Sequence, residues 1–440
     1  MSQVAMNIEE LSSVKKKLSF EIPWDEVKNE LDTVYRDIGK KAKIKGFRAG
    51  KIPRKVLENY FKEQAESETI NNIVNRFYWQ ALEEKRIVAL SRPDIDQEGL
   101  KENSDFSFSA SFETEPEFEP QGYKGMELEK EIFKITKNDM DKRINELKQM
   151  FATMEEVKDN RPAVKGDFVI MDFAGNLDGE SPKELKADNY FLEIGSQRFI
   201  PGFEEQLIGM RKEEEKSIKV VFPKDYRDKK FADKEVTFDV TIKNIKEKKL
   251  PEFDENFIKN FDKYDSLENL KNDVRESLEE ESQRLSEMNL HNKITEILRR
   301  ENDFEVPPSL IERQIFYMMA DTQRRITSAG MDEKNATELS FKMHDKFKDE
   351  AVKTVKTFLL IKKIAQKEAL ALEEGDIEKH IQKLAIKYGR DHELLKKTYE
   401  NQENRNNLEV ELVQKKVFDF IEQSANIKAI EKKGLDAEVK

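Results

Sequence analysis

The chain has no cysteine in its 440 residues and only four histidines, His291, His344, His380 and His392. Without thiols there is no disulfide and no thiolate-bound zinc or iron–sulfur centre, which excludes a disulfide-stapled secreted fold. The histidines lie in highly charged helical stretches, without the H-E-x-x-H spacing of a zinc hydrolase, and read as surface residues. The nucleophile-elbow, phosphate-loop and dinucleotide-binding fingerprints are missing too. Apolar runs stay short: Phe358-Leu359-Leu360-Ile361 is far below the ~20 residues of a membrane span, and Met1 to Glu10 has no apolar leader segment. The expectation is a soluble, cytoplasmic protein. Any enzyme chemistry here is expected to run without metal, cofactor or acid–base pair.

Apolar residues are also scarce, at 37% of the chain, whereas charged residues reach 38%; about 25% charged is typical of a globular protein. Such a balance is compatible with disorder, but 28 phenylalanines and clear periodicities oppose it. An elongated molecule with several small cores fits better, and the length suggests about three domains. The net charge of -12 argues against general nucleic-acid binding.

The punctuation is uneven. Residues 158–248 hold 6 of the 16 glycines. Residues 249–440, twice as long, hold only Gly330, Gly375, Gly389 and Gly434, with Pro251, Pro307 and Pro308. The first stretch reads as turn-rich β structure, the second as helical. In the N-terminal part, Leu18, Phe20 and Ile22 alternate as a strand, and Phe106, Phe108, Ala110 and Phe112 do so again. Between them, Val27, Leu31, Val34 and Ile38 mark one helix face, and Pro53 suits the first turn of a long helix reaching about Lys85. This is an α+β domain over 1–115. Pro116 and Pro120 with Glu115, Glu117 and Glu119 look like a stiff acidic linker, extended through a helix near 137–150 to residue 157. Residues 158–248 form the β domain, with a strand apolar on both faces at 168–173, an Asp178-Gly179 turn, a short helix after Pro201-Gly202, and an alternating strand at Val236, Phe238, Val240 and Ile242. Residues 249–440 are all-helical, broken at Pro307-Pro308, with apolar stripes at Val352, Val355, Leu359, Ile364 and at Val413, Val417, Phe420, Ile421.

Two constellations stand out. From Arg36 to Lys62 there are ten positive residues, Arg36, Lys40, Lys41, Lys43, Lys45, Arg48, Lys51, Arg54, Lys55 and Lys62, against Asp37 and Glu58. This local +8 leaves -20 for the rest of the chain. The charges centre on Gly46-Phe47-Arg48-Ala49-Gly50, an aromatic between glycines in a basic loop, which suits a polyanionic partner. A solvated charged loop is the plainer explanation of any basic run; the density and the Phe favour the partner. The second set is Phe173, Ile200, Phe203, Tyr226 and Phe238, all near turns or strands of the β domain. Core packing explains such aromatics unless they converge on a pocket.

Gly46-Phe47-Arg48-Ala49-Gly50-Lys51-Ile52-Pro53 resembles the ribosome-docking signature of the trigger factor family of bacterial ribosome-associated chaperones. The β domain resembles FKBP-type peptidyl-prolyl isomerases in Gly166-Asp167-Phe168-Val169-Ile170-Met171-Asp172-Phe173-Ala174-Gly175 and in Phe199-Ile200-Pro201-Gly202-Phe203-Glu204-Glu205. Phe304 to Arg313 and the late helix Leu412 to Ala425 also resemble the family, in the right order. Two positions depart from FKBPs: the stretch after the Asp-Gly turn reads Ser181-Pro182-Lys183 rather than Phe-Asp, and Phe203 stands where FKBPs have Trp.

The resemblance implies an α+β multidomain protein: a ribosome-docking α+β domain, an FKBP-like antiparallel β domain with a short helix, and an all-α domain with helical arms. It implies an ATP-independent chaperone that holds nascent polypeptides open for folding or export and isomerises X-Pro bonds. Lys45, Gly46, Phe47, Arg48, Gly50 and Lys51 would contact the ribosome, rRNA and protein near the nascent-chain exit. Phe173, Ile200, Phe203, Tyr226 and Phe238 would form the isomerase site, with the Ile200 N–H and the Tyr226 hydroxyl anchoring substrate carbonyls. Phe316, Tyr317, Met318 and Met319 are client-binding candidates, Met because it adapts to varied partners, although arm-core packing explains them equally well. No cofactor, metal, ATP or membrane is expected; off the ribosome, monomer and homodimer both stay open. A dimeric prolyl isomerase without ribosome docking, or a helical scaffold with an inactive β module, are the alternatives.

Overall fold

The computed structural model describes residues 5–435 except Ala49, Asp159, Asp178, Asp225 and Arg227. Ala49 of the basic loop and Asp178 of the expected Asp-Gly turn therefore lie outside the described residues. The chain divides into two compact units, residues 1–130 with 288–428 and residues 131–287 with 429–440.

The first unit opens with strands β1 (Ala5–Ser12) and β2 (Lys15–Ile22), helices α1 (Trp24–Lys41) and α2 (Arg54–Lys85), and strands β3 (Asp94–Gln97) and β4 (Phe106–Glu113). The strands form an antiparallel sheet in the order β1-β2-β4-β3. The alternation expected in β2 and β4 is there: Leu18, Phe20, Ile22, Phe106, Phe108, Ala110 and Phe112 all face one core. Phe20 and Phe108 are register partners with rings stacked 4.6 Å apart. β1 escapes sequence reading because its residues are at most half-buried, so little periodicity is imposed on it. Helix α1 places Asp25 and Glu26 in its first turn and Lys40 and Lys41 in its last, each sign on the favourable end of the dipole. Helix α2 follows Pro53 as expected but is kinked at Phe61. The kink lets one helix serve two cores: Leu57, Phe61 and Ala65 pack on α1, whereas Ile73, Val74, Tyr78 and Leu82 pack under the sheet.

Strand β5 (Glu127–Lys134) follows, then α3 (Lys137–Met150) and β6 (Thr153–Glu156). The stretch 116–157 is thus no bare linker. Glu115 and Glu119 pair with Lys362 and Lys367 at 2.5 and 2.6 Å, and Phe118 stacks on Phe304 at 4.0 Å, so its acidic start is packed down. Its end adds a strand to the next sheet.

That sheet belongs to the second unit: β7 (Phe168–Asn176), β8 (Lys186–Glu193), a short helix α4 (Phe203–Leu207), β9 (Glu215–Val221) and β10 (Glu235–Lys249). The order is β6-β10-β7-β8, with β9 also on β10. All pairings are antiparallel. An irregularity between Ile242 and Asn244 bends β10, so that its first half pairs β9 and its last four residues pair β6. The inner face buries Val169, Met171, Phe203, Leu207, Ile218, Val236, Phe238, Val240 and Ile242. Ahead of β7, Asp167 is buried and accepts from both Arg161 guanidinium nitrogens, at 2.5 and 2.9 Å, and from the Val164 N–H at 2.9 Å.

Helices α5 (Glu255–Ile258), α6 (Leu267–Glu301), α7 (Pro308–Ser328), α8 (Glu333–Lys342), α9 (His344–Lys367), α10 (Asp376–Tyr388), α11 (His392–Thr398) and α12 (Gln402–Ser424) follow, broken at Pro307-Pro308 as expected. The expected all-helical part ends instead in a strand, β11 (Asn426–Lys433), which pairs β5. Leu290, Ile294 and Leu298 of α6 pack with Leu360 and Ile364 of α9 and Val417 and Ile421 of α12. His291, expected on the surface, is instead half-buried: its ring stacks on Phe418 at 4.0 Å and it contacts Glu422 at 3.0 Å. No described helix is long and apolar enough to cross a membrane.

The Arg161–Asp167 contact generates a stability prediction. Burial alone pushes the Asp167 carboxyl up, but the Arg161 guanidinium and the Val164 N–H hold it below the usual range. A folded pKa below the unfolded value of about 3.9 means stabilisation that is full at neutral pH and lost as pH falls through the acid range. Asp167→Asn should cost about 2 kcal/mol at pH 7, the scale of a charge-assisted hydrogen-bond set. In urea melts of wild type and variant, the gap should narrow below about pH 4.

Candidate functional site

The loop between α1 and α2 is fixed at its base and open at its tip. Ala42, Ile44 and Ile52 are half-buried against the small core of Val34, Tyr35, Ile38, Leu57 and Ala65. The Gly50 N–H donates to the Gly39 carbonyl at 2.9 Å, Phe47 to Ile44 at 3.1 Å and Lys51 to Arg48 at 3.0 Å. Gly46 and Gly50 have φ of +94° and +77°. A Cβ at either would meet nothing within 4 Å, so backbone conformation rather than space calls for glycine. Lys45, Gly46, Phe47, Arg48, Gly50 and Lys51 are all exposed, Phe47 at 41%.

The cations of this region fall into two groups. Arg54 lies 3.5 Å over the Tyr35 ring and pairs with Asp32 and Glu58; Lys40 pairs with Asp37 and Lys62 with Glu66. Arg36, Lys41, Lys43, Lys45, Arg48, Lys51 and Lys55 have no ion-pair partner among the described residues. The structural cations flank the loop, and the uncommitted ones include every basic residue at its tip.

In the second unit the aromatic set converges. β7 supplies Phe173, β10 Phe238 and α4 Phe203. The ring centroids of Phe203 and Phe238 lie 5.4 Å apart, Phe173 and Phe238 5.7 Å, and Phe173 and Phe203 6.2 Å, all edge-on. Ile200 packs half-buried against the same core. Tyr226 joins through Phe222, which lies 4.7 Å from it and 6.5 Å from Phe238. The Ile200 N–H and the Tyr226 hydroxyl have no hydrogen-bond partner among the described residues, so both remain available as a donor to a carbonyl. Asp172 turns away, pairing with Lys243 at 2.7 Å and accepting from the Asn189 N–H.

Sequence reasoning misses several members. Phe199 lies 4.3 Å from Phe203 and 5.4 Å from Phe173, and Tyr190 lies 5.5 Å from Phe173 and 5.6 Å from Phe199. Phe199 directly precedes the Ile-Pro-Gly-Phe motif, the one signal that could have found it. Ser181-Pro182-Lys183 leads into a 3-10 turn that exposes Lys183 and buries Leu185 against the nest. Glu204, next to Phe203, is buried at 4% and accepts from Gly195 N–H (2.7 Å), Ser196 hydroxyl (3.2 Å), Gln197 N–H (3.0 Å), Arg198 N–H (3.0 Å) and Phe199 N–H (3.1 Å). Burial pushes its carboxyl up, but these donors together hold it below the usual range.

The helical candidates do not gather on one face. Phe316 and Tyr317 are exposed on α7, at 57% and 62%, whereas Met319 is buried with Ile315 and Ala351, and Met318 packs half-buried against them. A cleft of about 1140 Å³ lies elsewhere in the same unit, between α6, α9 and α12. Phe358, Ile361, Ala365, Leu370, Val410 and Val413 line it, with Arg299, Glu350, Lys362 and Glu409. Among the described residues no three His, Asp or Glu side chains gather as a metal site.

Residues 4–147 match the family described as bacterial trigger factor protein, and residues 266–423 its C-terminal part. Residues 159–243 match the FKBP-type peptidyl-prolyl cis-trans isomerases. Trigger factor of Syntrophus aciditrophicus (strain SB) is 48% identical over 433 residues, 98% of this chain and 97% of that one. Trigger factor of Geobacter sulfurreducens is 37% identical over 425 residues, 96% and 98% of the two chains. A solved structure described as showing promiscuous substrate recognition by the trigger factor chaperone is 20% identical, with a TM-score of 0.49, covering 95% of this chain and 99% of that one.

The nest's tightness is open to test at Gly175. A Cβ there would stand 2.8 Å from both Leu185 Cβ and Phe238 Cε1, atoms with little freedom to move. Gly175→Ala should cost about 2 kcal/mol by overpacking, read from urea denaturation followed in the near-ultraviolet.

Proposed function

The chain belongs to the trigger factor family, and we propose how its parts divide that family's work. It is a ribosome-associated chaperone with FKBP-type peptidyl-prolyl isomerase activity. Neither alternative, an isomerase that never meets the ribosome or an inert helical scaffold, is favoured. We assign docking to residues 1–115, isomerisation to 158–248 together with strand β6, and client holding to 249–440, with the protein acting in the cytoplasm.

Docking rests on one observation above the rest: Lys45, Arg48 and Lys51 are exposed and unpaired among the described residues, around the exposed ring of Phe47. Phosphates attract the cations and release counterions, and the ring stacks on a base or enters a crevice of ribosomal protein. The -20 carried by the remainder keeps other surfaces off the same polyanion.

For isomerisation, the barrier of ~18–20 kcal/mol is amide resonance, and no bond is made or broken. A planar amide is more dipolar than a twisted one, so an apolar aromatic nest disfavours the ground state more. Phe173, Phe203 and Phe238 supply that surface, Ile200 N–H and Tyr226 hydroxyl orient the flanking carbonyls, and none of these groups transfers a proton. Uncatalysed isomerisation takes tens to hundreds of seconds, slow enough to hold up a folding chain.

Clients are held by exposed apolar side chains among charges, Phe316 and Tyr317 on α7 and the Phe358–Val410 cleft. Met319, buried as it is, supports the arm rather than meeting clients, and Met318 does so in part. Release needs no ATP when binding is weak and competitive.

Phe47→Ala with Arg48→Ala should raise the Kd for ribosomes roughly 30-fold or more, as two interface anchors of about 1–2 kcal/mol each would. Co-sedimentation measures it, and undiminished binding would refute the docking assignment. Plotted against salt, log K of the wild type should fall linearly, with a slope shallower by about one in Arg48→Ala. Tyr226→Phe should lower kcat/KM on an X-Pro peptide by about tenfold, the scale of one lost oriented hydrogen bond.

A further inference from the structure

The isomerase reading makes Phe203 and Phe238 part of the apolar surface that would seat a prolyl ring, yet both rings are closed off. Phe203 is 0% exposed and Phe238 1%. The nearest ring to Phe203 is that of Phe199, 4.3 Å away and tilted by 44°; it also lies 6.4 Å from Phe238, 5.4 Å from Phe173 and 5.6 Å from Tyr190. Phe199 is half-buried and sits on a loop, not on a strand or helix. Its backbone N–H is the last of the five donors that converge on the buried Glu204 carboxylate. A single side chain from the start of α4 therefore fixes both the loop and the position of the ring it carries.

We propose that Phe199 is the gating and specificity-determining residue of the isomerase site: its ring fills the prolyl seat in the resting state and must swing aside for substrate, with Glu204 as the positioning residue that sets its resting place. This deepens the isomerase reading and rests on it. A ring that leaves contacts with Phe203, Phe173 and Tyr190 gives up aromatic packing on every binding event, and substrate binding is weakened by that amount. The gate also sets selectivity. X-Pro segments that replace the lost contacts with a large apolar residue before proline are favoured over those with glycine there.

The test uses the full chain. Aromatic pairs contribute about 0.5–1.5 kcal/mol, equivalent to about two- to tenfold in binding. Phe199→Ala should therefore lower KM for an X-Pro peptide by about two- to tenfold, with kcat within about twofold, and should flatten the preference between Leu-Pro and Gly-Pro peptides. A raised or unchanged KM would make Phe199 an ordinary wall and overturn the gate. Glu204→Gln turns two N–H groups toward the loop donors. It should lower KM in the same way, and add nothing in a Phe199→Ala background. A Glu204→Gln protein that loses kcat or melts earlier with KM not reduced would assign Glu204 a structural role only.

A second readout needs no turnover. The Ile200 δ1 methyl group, next to the gate, should show microsecond-to-millisecond exchange by relaxation dispersion in the resting wild type, and lose it in Phe199→Ala. Absence of exchange in the wild type would overturn the gate by itself. Exchange in a wild type inactive on every X-Pro peptide would keep the gate and refute the isomerase reading, so the two failures are distinct.

Discussion

The constraint behind this structure is a shortage of apolar side chains. With 37% of its residues apolar, the chain builds separate small cores rather than a single large one. Phenylalanine is the economical answer, since each ring buries a large area. Phe20, Phe106, Phe108 and Phe112 fill the N-terminal sheet, and Phe253, Phe257 and Phe261 hold the core beside α3. Most ion pairs spread over the surface are exposed and contribute little to stability. The partly buried contacts, such as Arg161 on Asp167, matter more. Small cores also leave each function its own surface.

Those surfaces use charge and apolarity in opposite ways. At the loop tip, the core beneath Ile44 and Ile52 holds the ends of the loop, while glycine at positions 46 and 50 lets the backbone turn without support from side chains. The tip cations carry no ion pair among the described residues, whereas Arg54, half-buried over Tyr35, pairs with Asp32 and Glu58 at the base of the loop. In the aromatic nest polar groups are few, and that suits a rotation about a bond in which no proton moves. The sequence carries no zinc-hydrolase, nucleophile-elbow or phosphate-loop motif, and a bond rotation calls for none of them.

What could be read from the sequence follows from how each signal is written. β2, β4, α1 and β10 carry strong periodicity because one face of each is fully buried, and Pro53 and Pro307-Pro308 mark boundaries through their missing amide. The loop tip is local in sequence, so its charge and glycines are legible together. The nest is not: Phe173 and Phe238 are brought together by β7–β10 pairing across more than sixty residues, Phe203 joins them from α4, and only the resemblance to known isomerases joined the three beforehand. Phe199 and Tyr190 went unseen because an aromatic in a turn or on a half-exposed strand has no periodic mark. β1, β6 and β11 went unseen because their faces are mostly exposed. Met318 and Met319 show the limit of composition, since adaptable side chains suit a core and a client surface equally.

Among the described residues, strand β5 finds its only sheet partner in β11. The Asn426 amide reaches the Glu127 carboxylate across 299 residues of chain, and the Gly434 N–H reaches the Lys134 carbonyl. A ribosome adding about 5–20 residues per second needs roughly 15–60 s to bridge that separation. Through that interval β5 has emerged and β11 does not yet exist, so a bare strand edge waits beside other growing chains. A protein that shelters incomplete polypeptides thus passes through its own birth as one of them.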